Sequence, residues 1–114
     1  MGAKIYELLS QRDDLEFLII DPDKRRDVEE RKKFLNAADL VLLCLPEDTA
    51  RETIPLVENP NTRILDTSPA HRTEPGWVYG FAELLPGQRQ RIRFSKRVSN
   101  PGCHASGFLS TVAP

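Results

Sequence analysis

Cysteine is scarce in this 114-residue chain. Cys44 and Cys103 are its only thiols, which makes neither a disulfide framework nor a zinc cluster, and no metal site is expected. They share no C-x-x-C spacing, so a thiol redox pair is disfavoured as well. Charge of one sign is also missing. Sixteen Lys and Arg face seventeen Asp and Glu, so the basic excess that nucleic-acid binding usually needs is absent. No apolar run exceeds Leu40–Leu45, far short of a membrane span. Met1 to Glu7 holds no apolar core of a secretory signal. Repeats and low-complexity stretches are absent too. The expectation is a soluble cytoplasmic protein with neither a nucleic-acid nor a membrane partner. Hydrophobic residues make up 39% and charged residues 29%, enough for an ordinary core.

What the chain does have is an alternation of two periods. Ile5, Leu8 and Leu9 predict an amphipathic helix over 3–12. Leu15–Ile20, closed by Asp21-Pro22-Asp23, predicts a buried strand. Helix formers fill 28–37, and Leu40–Leu45 predicts a second buried strand. A helix is expected over 47–58, with Pro46 at its start and Ala50, Ile54 and Val57 on one face. Arg63–Asp66 reads as a short third strand and Thr67–Gly80 as a long loop. A helix over 86–94 and a fourth strand at Arg97–Ser99 follow. Asn100-Pro101-Gly102 is a turn, and a helix begins at Cys103. Strands that are continuous apolar runs, separated by helices, indicate a parallel sheet covered on both faces. The fold class is therefore α/β. Ligands of such sheets bind beyond the carboxyl ends of the strands. Those ends are Asp21, Pro46-Glu47, Asp66 to Arg72 and Asn100 to Cys103. A doubly wound domain opens on a strand, whereas this chain opens on a helix and stops a few residues into another. Both ends look cut.

Cys103 is the leading chemical candidate. A thiol at a helix N-terminus meets the positive end of the dipole and unpaired N–H groups, which favour the nucleophilic thiolate. The same N–H groups suit an oxyanion, and Gly102 permits close approach of a substrate. An inert turn cysteine is the alternative. His104 is a poor base for it, because neighbouring helical side chains do not face each other. The loop Asp66 to Arg72 places a carboxylate, two hydroxyls, an imidazole and a guanidinium past a strand end. Arg72 either clamps a phosphate or carboxylate, or pairs with Asp66 to hold the loop. Cys44, inside an apolar strand, reads as a core residue. The charge-dense run Lys24 to Lys33 reads as a solvated face with i, i+4 pairs Asp27–Arg31 and Glu29–Lys33. Lys24, Arg25 and Arg26 also stand where a basic residue can accept a 2′-phosphate. Arg89, Arg91, Arg93, Lys96 and Arg97 have too little aromatic company for RNA and read as surface.

Ser99-Asn100-Pro101-Gly102-Cys103, followed by Ala105-Ser106-Gly107, resembles the active-site motif of the N-acetyl-gamma-glutamyl-phosphate reductase family. The stretch Asp66-Thr67-Ser68-Pro69-Ala70-His71-Arg72-Thr73 and Pro75-Gly76-Trp77-Val78-Tyr79-Gly80-Phe81, with Glu83-Leu84, is similar to the second, shorter type of that family. Leu43 to Asp48 and Asn59 to Arg63 fit it too, so the resemblance covers essentially the whole chain. It implies a partial NADP-binding Rossmann domain over 1–114, lacking its first strand and Gly-rich loop and ending just after the nucleophile, with the substrate domain absent. It implies an NADP-dependent oxidoreductase of arginine biosynthesis, which reduces an acyl phosphate through a thioester on Cys103, with this chain by itself expected to be inactive in that reduction. Asn100 and Arg72 would bind phosphate or substrate, with Ser68 counted beside them. Gly2 would be the last glycine of the dinucleotide turn, and Pro46 and Gly107 would line the nicotinamide pocket. The family also implies a homo-oligomer and a general acid/base His that nothing here matches. His104 stands where a Tyr is usual, and Pro69 where a hydroxyl residue is. The rival expectation is a non-catalytic module that completes its sheet with a partner chain.

Overall fold

The computed structural model describes residues 2–112. Helix α1 spans Gly2–Leu9 and α2 spans Val28–Ala37. Strand β1, Leu40–Leu43, leads into α3, Glu47–Thr53, and then β2, Arg63–Asp66. Strand β3 is only Val78–Tyr79; α4, Gln88–Phe94, precedes β4, Arg97–Ser99, and α5 is Cys103–Val112. The four strands form one sheet in the order β1-β2-β4-β3. Every pairing is parallel, so the α/β expectation of a partial Rossmann-like sheet holds. No helix among the described residues is long and apolar enough to cross a membrane.

Local chemistry accounts for most boundaries. Asp27 caps α2 by accepting from the Glu29 and Glu30 N–H groups, rather than pairing with Arg31. Arg31 instead donates to Thr53 Oγ1 at 2.5 Å, and Lys32 rather than Lys33 makes an ion pair, with Glu58 at 2.9 Å. Helix α3 ends earlier than expected and tightens into a 3₁₀ turn, Ile54–Leu56. Pro55 has no N–H to continue the ladder and its ring crowds the preceding turn. The loop after β2 holds two elements that the sequence does not advertise: a 3₁₀ turn at Pro69–His71 and β3 itself.

The strand expected at Leu15–Ile20 does not form; the segment makes neither helix nor ladder. An apolar run favours burial, but a strand also needs a hydrogen-bonding neighbour. Among the described residues β1 pairs on one side only, with β2. On its other side lies a groove of about 770 Å³ lined by Ile5, Leu9, Leu15, Phe17, Leu35 and Leu42. Leu15, Phe17 and Leu18 are exposed there, as is Leu40, and Ile19 is exposed beside them in the chain. The accessible surface of 8165 Å² correspondingly exceeds the roughly 6300 Å² of a compact protein of this mass.

The core is small and unusually polar. Leu43, Ala50, Ile64 and Ala70 share it with Thr53, Thr62, Asp66, Ser68, His71, Gln88 and Ser99. Side-chain hydrogen bonds tie its parts together. Asn36 shows how. Its amide donates to the Lys32 and Leu56 carbonyls at 2.8 and 2.9 Å, and its oxygen accepts from the Glu58 and Asn59 N–H groups at 2.7 Å. The end of α2 is thereby fastened to the chain entering β2. Replacing Asn36 with Ala leaves backbone groups of the 56–59 segment without partners. It should lower unfolding stability by about 2 kcal/mol, read from urea denaturation followed by circular dichroism.

Candidate functional site

The carboxyl ends of β2 and β4 lie side by side, with Asp66 in register with Ser99. Asp66 is fully buried. A buried carboxylate is tolerable only when its oxygens are satisfied. Oδ1 accepts from the Ser68 N–H at 2.9 Å; Oδ2 accepts from Ser68 Oγ at 2.8 Å and lies 2.6 Å from His71 Nδ1. His71 is itself buried, and its ring stacks on Trp77 with centroids 4.2 Å apart and planes 13° off parallel. Ser68 Oγ also accepts from the Ala70 N–H, capping the 3₁₀ turn. The Asp66 carbonyl accepts from the Asn100 N–H at 2.8 Å. One residue thus fixes both loops that follow the paired strands.

Of the two roles open to Arg72 in the sequence, the structure does not use the pairing with Asp66. His71 takes that carboxylate. Arg72 reaches across to the other loop, where Nε donates to the Asn100 carbonyl at 3.3 Å. Its guanidinium lies over Gly102. A Cβ at Gly102 would come within 2.5 Å of Arg72 Nη1, 2.9 Å of Cζ and 3.0 Å of Nη2. Glycine is what lets the cation rest on the turn before the thiol.

Cys103 opens α5 and is exposed, with a free thiol. The first N–H groups of a helix have no intrahelical acceptor, so this end of α5 offers donors beside Sγ. Thr67, Arg72, Asn100 and residues 101–106 line the surrounding depression. His104 departs from expectation. Its Nδ1 lies 3.5 Å from Sγ, both side chains being exposed.

The other sequence candidates are more dispersed. Ser68 spends its hydroxyl on Asp66 and Ala70, as above. Gly2 starts α1 against Cys44, where a Cβ would sit 3.6 Å from Cys44 Cβ. Pro46, exposed, follows β1 at the same end of the sheet. Gly107 is exposed on α5 with nothing near it. Cys44 is half-buried on the rim of the apolar groove. Lys24, Arg25 and Arg26 are exposed. Thr67, which donates to the Leu43 carbonyl at 2.8 Å, joins the depression around Cys103 without having been singled out by the sequence. Its place directly after a strand end is the one signal that could have found it.

Residues 2–92 match the semialdehyde dehydrogenase family's NAD-binding domain. The chain belongs to that family. A reductase named N-acetyl-gamma-glutamyl-phosphate reductase from Trichormus variabilis is 52% identical over 113 residues, covering 99% of this chain and 35% of that protein. One from Nostoc sp., named N-acetyl-gamma-glutamyl-phosphate reductase 2, is 51% identical with the same coverage. Another from Brucella ovis is 48% identical over 114 residues, 37% of its length. The chain therefore spans about a third of the curated relatives it matches. No solved structure matches it. Asn100 and Cys103 lie past the family match but inside the stretch shared with these reductases.

The two crowded glycines of this region should respond differently to a methyl group. At Gly80 a Cβ would lie 2.9 Å from the Ser99 carbonyl, which is sheet backbone and cannot move cheaply. At Gly102 the obstacle is the end of a long side chain. Gly80→Ala should cost about 1–3 kcal/mol, whereas Gly102→Ala should cost under about 1 kcal/mol while displacing Arg72. Thermal unfolding of the two variants checks the contrast.

Proposed function

We propose that this chain is the cofactor-domain part of a reductase that converts N-acetylglutamyl phosphate to N-acetylglutamate semialdehyde and phosphate. The observation that carries the reading is the exposed Cys103 thiol at the start of α5, with the Arg72 guanidinium over the adjoining Gly102. The names and identities of the relatives support it.

In the first step the Cys103 thiolate attacks the acyl carbon. The carbon–oxygen bond to phosphorus breaks and phosphate leaves with its electron pair, giving a thioester. Arg72 and Asn100 would hold the phosphoryl group while charge builds on it. The N–H groups at the start of α5 would receive the acyl oxyanion. His104 Nδ1, within reach of Sγ, can hold the thiol proton.

The family match implies a nicotinamide nucleotide. The residues present fit part of such a site: α1 begins against Cys44, just past the carboxyl end of β1, where pyrophosphates meet helix N-termini. Gly2 would take the pyrophosphate side, Pro46 and Gly107 the nicotinamide side, and Lys24 to Arg26 the 2′-phosphate of NADP. The chemistry a bound NADPH supplies is hydride donation to the thioester carbonyl. A cytoplasmic setting and assembly of the whole enzyme into a homo-oligomer belong to the same reading.

A second reading is a module that pairs with a partner chain. It is favoured by the unpaired side of β1 and the apolar groove beside it. One experiment separates the two. Treatment with N-acetylglutamyl phosphate should add one acyl group, found by peptide mass spectrometry on Cys103 and not on Cys44, and released by hydroxylamine. Cys103→Ser should take up none. Absence of acylation in the unaltered chain would overturn the reductase reading and leave the pairing module.

A further inference from the structure

We propose that His71 is a positioning residue: by its hydrogen bond to Asp66 it sets the Arg72 guanidinium over the Cys103 turn. The inference rests on the reading of Arg72 as the phosphate ligand made above.

His71 touches neither Cys103 nor the depression around it, whose lining passes from Thr67 to Arg72 without it. Its ring is nevertheless held on two sides, by Asp66 at 2.6 Å and by the stacked Trp77. Arg72 is the next residue, so fixing the imidazole fixes the point from which that side chain departs. The Arg72 N–H closes the 3₁₀ turn on the Pro69 carbonyl. From there the guanidinium crosses to the Asn100 carbonyl and lies over Gly102. Asn100 is itself tied to the Asp66 carbonyl at 2.8 Å. Both proposed phosphate ligands are therefore referred to one buried residue, Asn100 to the Asp66 carbonyl and Arg72, by way of His71, to the Asp66 carboxylate. A surface lysine or arginine could supply the same charge. What this arrangement adds is a cation held in place before the anion arrives, so little side-chain freedom is lost on binding. The other groups bonded to this carboxylate are the Ser68 N–H and hydroxyl, and none of them is a permanent charge.

The test uses the chain in a Cys44→Ser background, so that Cys103 is the one alkylatable thiol. Its rate of reaction with iodoacetamide is measured against inorganic phosphate, and the protection curve gives a phosphate dissociation constant. His71→Leu should weaken that constant about tenfold, the worth of one charged hydrogen bond. His71→Asn, whose amide nitrogen can stand where Nδ1 does, should restore binding to within about threefold of the unaltered chain. Unchanged phosphate affinity in His71→Leu, with only a lower unfolding midpoint, would make the residue merely structural and overturn the proposal. Equal weakening in the Leu and Asn variants would overturn it too, since the hydrogen bond would then not matter. If His71→Leu does not fold, His71→Gln carries the comparison, because its amide aligns with Nε2 and leaves Asp66 with its Ser68 bonds but none from position 71. Arg72→Ala separates the two levels. No phosphate protection in the unaltered chain, or protection that survives Arg72→Ala, sinks the phosphate-ligand reading and this inference with it. Protection lost in Arg72→Ala but kept in His71→Leu sinks the positioning role alone.

Discussion

The carboxylate of Asp66 has no access to water, and the geometry of the site follows from that. An ionised carboxylate removed from solvent must find donors nearby or raise the energy of the fold by several kcal/mol. Asp66 finds Ser68 and His71 in the next few residues of its own chain. The loop therefore cannot wander after β2; it must curl back within five residues, and the 3₁₀ turn at Pro69–His71 is the form that curl takes. The carbonyl of the same residue holds the first residue after β4. A parallel sheet already aligns strand ends. Asp66 adds a lock that keeps the two emerging loops in contact, and Arg72 crosses that contact to reach Gly102.

The same rule, that buried polar groups must be served, governs the opposite end of the sheet. Thr62 donates to the Ala38 carbonyl at 2.9 Å, and Asn36 serves four backbone groups around it. These bonds replace part of what a larger apolar core would supply. The apolar material exists, in Leu15–Ile20, α1 and the flank of β1, but it borders a groove instead of filling a core. Cohesion is thus strongest around β2 and weakest beyond β1.

This division explains what could be read from the sequence. Helix α2 and strands β2 and β4 lie where periodicity and capping residues put them, because each is specified locally: Asp27 caps, and Arg63–Asp66 and Arg97–Ser99 each find a neighbour. Leu15–Ile20 misleads, because hydrophobicity specifies burial and not a pairing partner. Val78–Tyr79 is too short to carry a period, and only the register with Val98 and Ser99 makes it a strand. Within the site, Cys103, Asn100 and Arg72 were legible from residue type and position after strand ends. The Asp66–His71 bond was not. The loop held an imidazole and a guanidinium for one carboxylate, and nothing in the spacing said that the imidazole would turn inward and the guanidinium outward.

That inward turn has a consequence for where the fold leaves its polar groups unserved. Leu43, Asp66, Ser99 and Tyr79 stand in register across the sheet, so their side chains share one face. Among the described residues, the buried side-chain atoms without a partner are Ser99 Oγ and Tyr79 Oη, both on that row. Each unserved hydroxyl costs about 1–3 kcal/mol. The same fold serves the polar side chains of Asn36, Thr53, Thr62 and Asp66, so the two exceptions stand out on a row that crosses the strand leading into the Cys103 turn. Local rules are broken where a fold gives up stability for a site. Asp66 supplies the compensation: it is the one member of the row that is completely bonded, and it ties that row to both loops. The turn from Asn100 to Cys103 is thereby anchored at its first residue, whose N–H donates to the Asp66 carbonyl.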